Sequence, residues 1–218
     1  ANLAQTMRDL LSNGQAEALP LTDADLLLWR QVDLGANYDQ LMEKLLDEAG
    51  WRQEKITVYG KPYLQPRLSA WHGEMGYSYS GIRLHPLPWT PVLWRLKQRV
   101  ETLTHEQFNS VLLNYYRDHN DSMGMHSDDE RELGKQPAIA SLSLGETRDF
   151  ILKHRWRKDL KSIKLPLDSG SLLLMRGDTQ QNWRHGINKL RRACGPRINL
   201  TFRNIIPVKA PKSPRRDD

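Results

Sequence analysis

The stretch that decides the fold is Arg197-Ile198-Asn199-Leu200-Thr201-Phe202-Arg203. Apolar and polar residues alternate along it, the period of a β-strand whose successive side chains point to opposite faces. Ile198, Leu200 and Phe202 share one face; Arg197, Asn199, Thr201 and Arg203 share the other. If the polar face meets solvent, the pattern is bland. If it is buried, the two guanidiniums need anionic partners, because an unpaired buried charge is costly. A cavity-lining face would suit a small dianion, since Arg grips a carboxylate through two parallel N–H bonds.

Outward from this strand, residues 111–116, 138–144, 149–152, 162–167 and 171–175 form short apolar runs bounded by turn formers. Their spacing predicts a mainly β domain, sandwich or barrel, with helices packed on it. The first fifty residues read as helical in two pieces. Asn37 caps a helix over 38–49, with Leu41, Leu45 and Leu46 on one face and Gly50 ending it. Residues 55–61 and 67–71 alternate like strands, and Thr90-Pro91 opens a helix carrying Leu93, Leu96, Val100 and Leu103. The Pro- and Lys/Arg-rich end, 207–218, reads as a mobile tail.

Among 218 residues, 32 Lys and Arg face 26 Asp and Glu, a net charge of +6 that favours polyanionic partners such as nucleic acid. No apolar run approaches the roughly 18–20 residues of a membrane span. The N-terminus lacks a basic start and an apolar signal core, so an intracellular protein, cytoplasmic or nuclear, is expected. The single cysteine, Cys194, excludes an internal disulfide or a Cys-based zinc site and reads as an incidental thiol. No Gly-rich strand-to-helix fingerprint appears, which disfavours a flavin or nicotinamide enzyme.

The chemistry-bearing segment is His126-Ser127-Asp128-Asp129-Glu130. On a strand, His126 and Asp128 would present an imidazole and a carboxylate to one point. One more His completes the two-His, one-carboxylate face that holds ferrous iron and leaves positions open for dioxygen and substrate. His185 is the candidate. Alone, His-x-Asp is a weak signal, equally read as an acidic surface turn. Combined with Arg197 and Arg203 it suggests a small dicarboxylate beside iron, with Asn114 and Tyr116 adding hydrogen bonds.

Taken together, Asn114-Tyr115-Tyr116, His126-Ser127-Asp128-Asp129-Glu130, Ala140-Ser141-Leu142-Ser143-Leu144-Gly145, His185 and the 197–203 strand resemble the AlkB family of Fe(II)- and 2-oxoglutarate-dependent dioxygenases. The likeness runs from about Val58 to Ile206, and residues 1–50 lie outside it. It implies a double-stranded β-helix, or jelly-roll, core of the α+β kind. The implied divisions are a helical extension (1–50), a nucleotide-recognition lid with a hairpin (51–90), the dioxygenase core (91–206) and the tail (207–218). His126, Asp128 and His185 match the iron ligands. Arg203 matches the contact to the keto-acid end of 2-oxoglutarate and Arg197 the grip on its far carboxylate. Asn114, Tyr116, Asn199 and Thr201 match smaller cosubstrate contacts.

The implied reaction uses Fe(II), 2-oxoglutarate and O2 to hydroxylate an N-methyl group on a DNA base, releasing formaldehyde and the unmodified base. The closest likeness is to the DNA-repair branch, acting on 1-methyladenine and 3-methylcytosine in single- or double-stranded DNA. An RNA substrate, or a catalytically silent binding relative, are the alternatives. The target base must be flipped out to reach the iron. By the same likeness Tyr79 stacks on it and Tyr77 lines the pocket. Asp129 and Glu130 face its cationic ring, and Tyr59 fills the vacated stack. Gln65-Pro66-Arg67, residues 153–158 and residues 189–192 read as phosphate contacts. A monomer without membrane association is expected.

Overall fold

Alternation of the kind seen at 197–203 recurs along the C-terminal half and folds it into eight antiparallel strands. A computed structural model describes residues 15–79 and 82–207, with backbone alone at 58, 77–79 and 82. The chain begins with β1 (Glu17–Leu19), β2 (Asp25–Trp29) and helix α1 (Tyr38–Glu48). Next come β3 (Lys55–Val58), β4 (Lys61–Leu64), β5 (Leu68–Gly73), β6 (Tyr77–Tyr79), β7 (Ile82–Leu84) and helix α2 (Pro91–Thr104). The core follows as β8 (Ser110–Tyr116), β9 (Met123–His126), β10 (Ile139–Gly145), β11 (Arg148–His154), β12 (Ile163–Leu167) and β13 (Leu172–Arg176). A one-turn helix α3 (Thr179–Asn182), β14 (Trp183–Ile187) and β15 (Arg197–Arg203) complete it.

Strands β8 to β15 divide between two sheets, ordered β13-β10-β15-β8 and β12-β11-β14-β9. This is the jelly-roll arrangement the resemblance implies. The first sheet is widened to seven strands by β2 and β1 at one edge and β5 at the other. Leu112, Ile139, Leu173 and Met175 from that sheet pack against Phe150, Leu152, Leu167 and Trp183 from the smaller one. Its outer face, including Leu113, Leu142, Leu174 and Leu200, packs beneath Leu41 and Leu45 of α1 and Leu93, Leu96 and Val100 of α2. Burial stabilises by about 1.5–3 kcal/mol for each such side chain relative to exposure. β15 is buried along its whole length, so the Arg face is an interior one.

Asn37 caps α1, its side chain accepting from Asp39 N and Gln40 N, and Thr90 caps α2 ahead of Pro91 at its first turn. Gly145 (φ +89°) lets α1 approach β10, since a Cβ there would meet Met42 Sδ at 2.9 Å. The helical reading of the first fifty residues holds only for 38–48 among the described residues. Residues 25–29 are instead a strand of the larger sheet, pairing with β13. The run Leu26-Leu27-Leu28-Trp29 packs apolar side chains to both sides of that sheet, so it lacks the alternation that marks a half-buried strand. Within 51–90, β5 pairs with β8 and so joins the larger sheet. The tail beyond residue 207 lies outside the described residues.

Two hairpins flank β5. In the β3–β4 hairpin Tyr59 (φ +49°) and Gly60 (φ +75°) form a two-residue turn of the I′ kind, whose twist suits a hairpin. At the base of the β6–β7 hairpin His72 is buried; its Nδ1 bonds the Pro88 carbonyl at 2.8 Å and its Nε2 accepts from Gly50 N at 3.4 Å. Burial lowers the His72 pKa from 6.5, outweighing the Pro88 bond, so the folded protein resists the protonation that the unfolded chain undergoes. Stability from this residue is complete above about pH 6.5 and is lost as pH falls below it. His72→Asn is expected to flatten the decline of the urea midpoint between about pH 6.5 and 5. Equal slopes in the two proteins would contradict this role.

Candidate functional site

Between the sheets lies one cavity whose lining includes Asn114, Tyr116, His126, Asp128, His185, Arg197, Asn199, Thr201 and Arg203. Four come from the inward face of β15 and two from the adjoining β8. Register does the rest: Asn199 lies opposite Asn114 and Arg197 opposite Tyr116, while His185 of β14 lies opposite His126 of β9.

His126, Asp128 and His185 bring their ligand atoms within 4.8 Å of one another. Nε2 of His126 is 3.9 Å from Asp128 Oδ1, and Nε2 of His185 is 3.7 Å from Oδ2. His126 Nδ1 lies 2.9 Å from the Gly124 carbonyl, which fixes the hydrogen on Nδ1 and leaves Nε2 as the electron-pair donor. Phe150 stacks on His185 at 5.0 Å between ring centroids. Burial, followed by the neighbouring His126, pulls His185 down to about 3, so its imidazole is neutral at ordinary pH. Burial also lowers His126, against the pull of Asp128.

Asp128 is completely buried. Burial alone would raise its pKa; the Arg203 charge, then the imidazoles and the Arg203 hydrogen bond at 2.9 Å, hold it well below the usual range. Its Oδ2 has no hydrogen-bond partner, an orphan a cation would satisfy. Two imidazole nitrogens and the orphan oxygen of one carboxylate, three donors in all, fit an octahedral ferrous ion held on one face. The strand geometry expected at 126–128 is not what aligns the pair. β9 ends at His126, and Asp128 lies in the following loop, where its N–H donates to Gln180 Oε1 at 2.9 Å. Ser127 Oγ donates to the Trp183 carbonyl at 2.8 Å.

At the cavity's other end Arg197 is buried and donates from Nη2 to Ser143 Oγ at 2.9 Å, while Nε and Nη1 have no partner. Burial pulls its pKa down to about 10, which leaves it charged. Its guanidinium lies 5.3 Å from the Tyr116 ring centroid. Thr201 donates to Asn199, and Asn199 to Ser141 Oγ at 2.7 Å. This chain of bonds fixes the polar side chains between the guanidiniums. Arg67 is buried and donates to Asn114 Oδ1 at 3.1 Å and to the Ser122 carbonyl, so it supports the site instead of meeting phosphate. Gln65 is buried as well.

Other expected positions are dispersed. Asp129 pairs with Arg155 at 2.8 Å at the rim. Glu130 is partly buried, its carbonyl accepting from Leu133 N at 3.0 Å. Tyr59 stands at the tip of its hairpin, wholly exposed. Tyr77 and Tyr79 belong to β6, and their side chains lie outside the described residues. Gln180 is a site-supporting residue that sequence reasoning missed; Ser141 and Ser143 stood in the quoted 140–145 motif without a role, and Arg155, read as a phosphate contact, pairs with Asp129. For the serines a signal existed: Ser141 and Ser143 alternate with outward Ala140, Leu142 and Leu144.

The fold and donor set together are those of the jelly-roll class of iron-dependent oxygenases. The chain belongs to the 2OG-Fe(II) oxygenase superfamily, whose family model matches residues 35–203, beginning ahead of the 58–206 span of the sequence resemblance. It is 45% identical over 177 residues to mouse (Mus musculus) "Alpha-ketoglutarate-dependent dioxygenase alkB homolog 3", covering 78% of this chain and 62% of that protein. It is 44% identical over 163 residues to mouse "DNA oxidative demethylase ALKBH2", covering 71% of this chain and 68% of that one. The chain thus spans less than two thirds of the length of the alkB homolog 3 proteins it matches. A solved structure of OsALKBH1 shares the fold, with TM-score 0.59 and 18% identity over 87% of this chain and all of that one. Among the described residues no helix is long and apolar enough to cross a membrane.

Gly186 permits the close pairing of β9 and β14 that brings the two imidazoles together. A Cβ there would lie 2.9 Å from the Met123 carbonyl oxygen and 3.2 Å from Gly124 C. Gly186→Ala is therefore expected to displace His126 and weaken anaerobic Fe(II) binding by about 10–100-fold, the scale seen when supports of a metal ligand are lost. Titration beside a thermal melt checks this; unchanged affinity would mean that β9 adjusts elsewhere.

Proposed function

We propose that the chain is an Fe(II)- and 2-oxoglutarate-dependent demethylase of N-alkylated bases in DNA, 1-methyladenine and 3-methylcytosine among them. One observation carries it. The buried polar face of β15 leaves two N–H groups of Arg197 unpartnered, in the same cavity as the unpartnered Asp128 oxygen. A cation at one end and a carboxylate at the other would answer both.

On this reading His126, Asp128 and His185 hold iron, which when bound couples decarboxylation of 2-oxoglutarate to oxidation of the N-methyl group. Arg197 takes the far carboxylate of the cosubstrate through its free fork. Arg203 holds Asp128 ionised and meets the keto-acid end, while Asn114, Tyr116, Asn199 and Thr201 fix the cosubstrate's orientation. The apolar walls from Phe150, Met175 and Ile187 keep water from the reacting methyl group. A single chain supplies all nine of these polar residues, so the working unit is taken to be a monomer.

For the target base, Tyr77 and Tyr79 form the stacking wall. Asp129 and Glu130 supply negative charge that favours the cationic methylated ring over a normal base. Tyr59 enters the gap left by the flipped base. A tyrosine at φ +49° sits where Asn or Gly is preferred, and the strain of about 1–2 kcal/mol is tolerated on an exposed tip with no packing to offset it. That is what a residue kept for an external contact looks like.

His126→Ala is expected to abolish formaldehyde release from a methylated oligonucleotide while folding and DNA binding persist. It is a cleaner variant than Arg203→Ala, which would strand the buried Asp128 charge and destabilise the fold by about 3–5 kcal/mol. Full turnover by His126→Ala would reject the assignment, and parallel assays on methylated RNA decide between the nucleic acids. Tyr59→Ala is expected to lower kcat/KM on duplex more than on single strands. Equal losses would remove the wedge.

A further inference from the structure

The turn after β11, joined to Asp129 through Arg155, displays a feature that demethylation of one flipped base does not use. Trp156 is 65% exposed, second only to Tyr59 among the large hydrophobic residues described. An indole so open to water gains nothing for folding. The turn that presents it is nevertheless firmly built. His154 is buried, with Nε2 3.1 Å from Asp23 Oδ2 and its ring edge-on to Trp183 at 4.9 Å. Its Nδ1 accepts from both Trp156 N at 3.1 Å and Arg157 N at 3.0 Å. Arg155 N donates to the Asn182 carbonyl at 2.7 Å, tying the turn to the end of α3, directly before the strand that carries His185.

The indole is also oriented and charged from beneath. The Arg155 guanidinium lies over it, 5.0 Å from the ring centroid, and that same guanidinium bonds Asp129, the neighbour of Asp128. One contact chain thus joins the ring to the metal cluster: Trp156, Arg155, Asp129, Asp128. Lys153, Arg157 and Lys158 are exposed around it; Asp159, the one carboxylate in 153–159, pairs with Arg157 at 2.6 Å, so the two lysines carry the excess positive charge. An exposed aromatic ring among basic side chains is a combination that holds single-stranded nucleic acid, bases stacking on the ring while cations follow the backbone.

We propose that Trp156 is a stacking platform for an unpaired base flanking the one in the cavity, so that the chain grips a single strand beyond its target nucleotide. Residues 153–158 then contribute base stacking as well as phosphate contact. The inference rests on the nucleic-acid reading above, and its test separates the two. The quantity measured is the ratio of kcat/KM for a single-stranded pentanucleotide carrying central 1-methyladenine to that for the methylated mononucleotide, which has no flanking base. Trp156→Ala is expected to lower this ratio roughly 5–150-fold, and Trp156→Phe to restore most of it. The fall should vanish when the flanking positions are abasic. An unchanged ratio in Trp156→Ala, or a fall that survives abasic flanks, would overturn the platform; a loss confined to Lys158→Ala would reduce the turn to phosphate contact. Failure of the unaltered chain to turn over either substrate would instead remove the functional reading, and the platform with it.

Discussion

A completely buried carboxylate, Asp128, is the constraint on which the site depends. Taking that charge out of water is penalised by several kcal/mol, and only a well-placed cation with good hydrogen bonding offsets it. Arg203 supplies the permanent cation from the end of β15, and Gln180 fixes the backbone that aims the carboxylate. What remains unanswered is one oxygen, Oδ2, facing an imidazole nitrogen 3.7 Å away. The protein therefore carries a standing electrostatic demand at one point of its interior. The jelly roll meets it by closing two sheets around that point, and the two helices make this tolerable by covering the larger sheet's outer face.

The same logic explains why β15 is polar along its whole inward face, with polar side chains from the adjoining β8 and β10 beside it. β13 packs Leu173 and Met175 against the smaller sheet, whereas β15 faces it with two guanidiniums, an amide and a hydroxyl, and β10 adds Ser141 and Ser143 beside them. The cluster is partly self-satisfied through Thr201, Asn199 and Ser141. Arg197 is the exception, bonded at one nitrogen and open at two others. A half-satisfied buried network is a poor way to build a core and a good way to build a receptor, because an incoming carboxylate recovers the missing hydrogen bonds. On the proposed reading, stability is surrendered locally so that affinity for a dianion can be gained.

Much of this was legible from residues alone, for a definite reason. Period-two alternation at 197–203 fixes which side chains share a face whatever the strand's neighbours, and only its burial needed coordinates. The capped helices at Asn37 and Thr90 were legible because capping is local. Residues 25–29 were not, because a strand buried on both faces loses its periodicity. His126 and Asp128 were the correct pair for an incomplete reason: β9 stops at His126, and a loop held by Gln180, 52 residues away, does the aiming. Gln180 lies on a four-residue helix without a composition signal. Arg155, Arg67 and Ser143 likewise act across 26, 47 and 54 residues, distances that only strand register resolves.

Exposure completes the argument from the opposite side. Folding hides large aromatic rings, yet the two most exposed large hydrophobic residues described are Tyr59 and Trp156, each held on a short, well-defined turn. Tyr59 occupies a left-handed backbone position that disfavours its side chain, and Trp156 is propped by a buried histidine and a guanidinium. Neither ring gains the burial that large aromatic side chains ordinarily gain on folding. Both make sense if the missing surface is supplied by flat, apolar-faced groups on a polyanion, the description of a nucleic-acid strand. The interior demand for a cation and a dianion and the exterior demand for stacking partners are then halves of one design, the first setting the chemistry and the second setting where on a strand it falls.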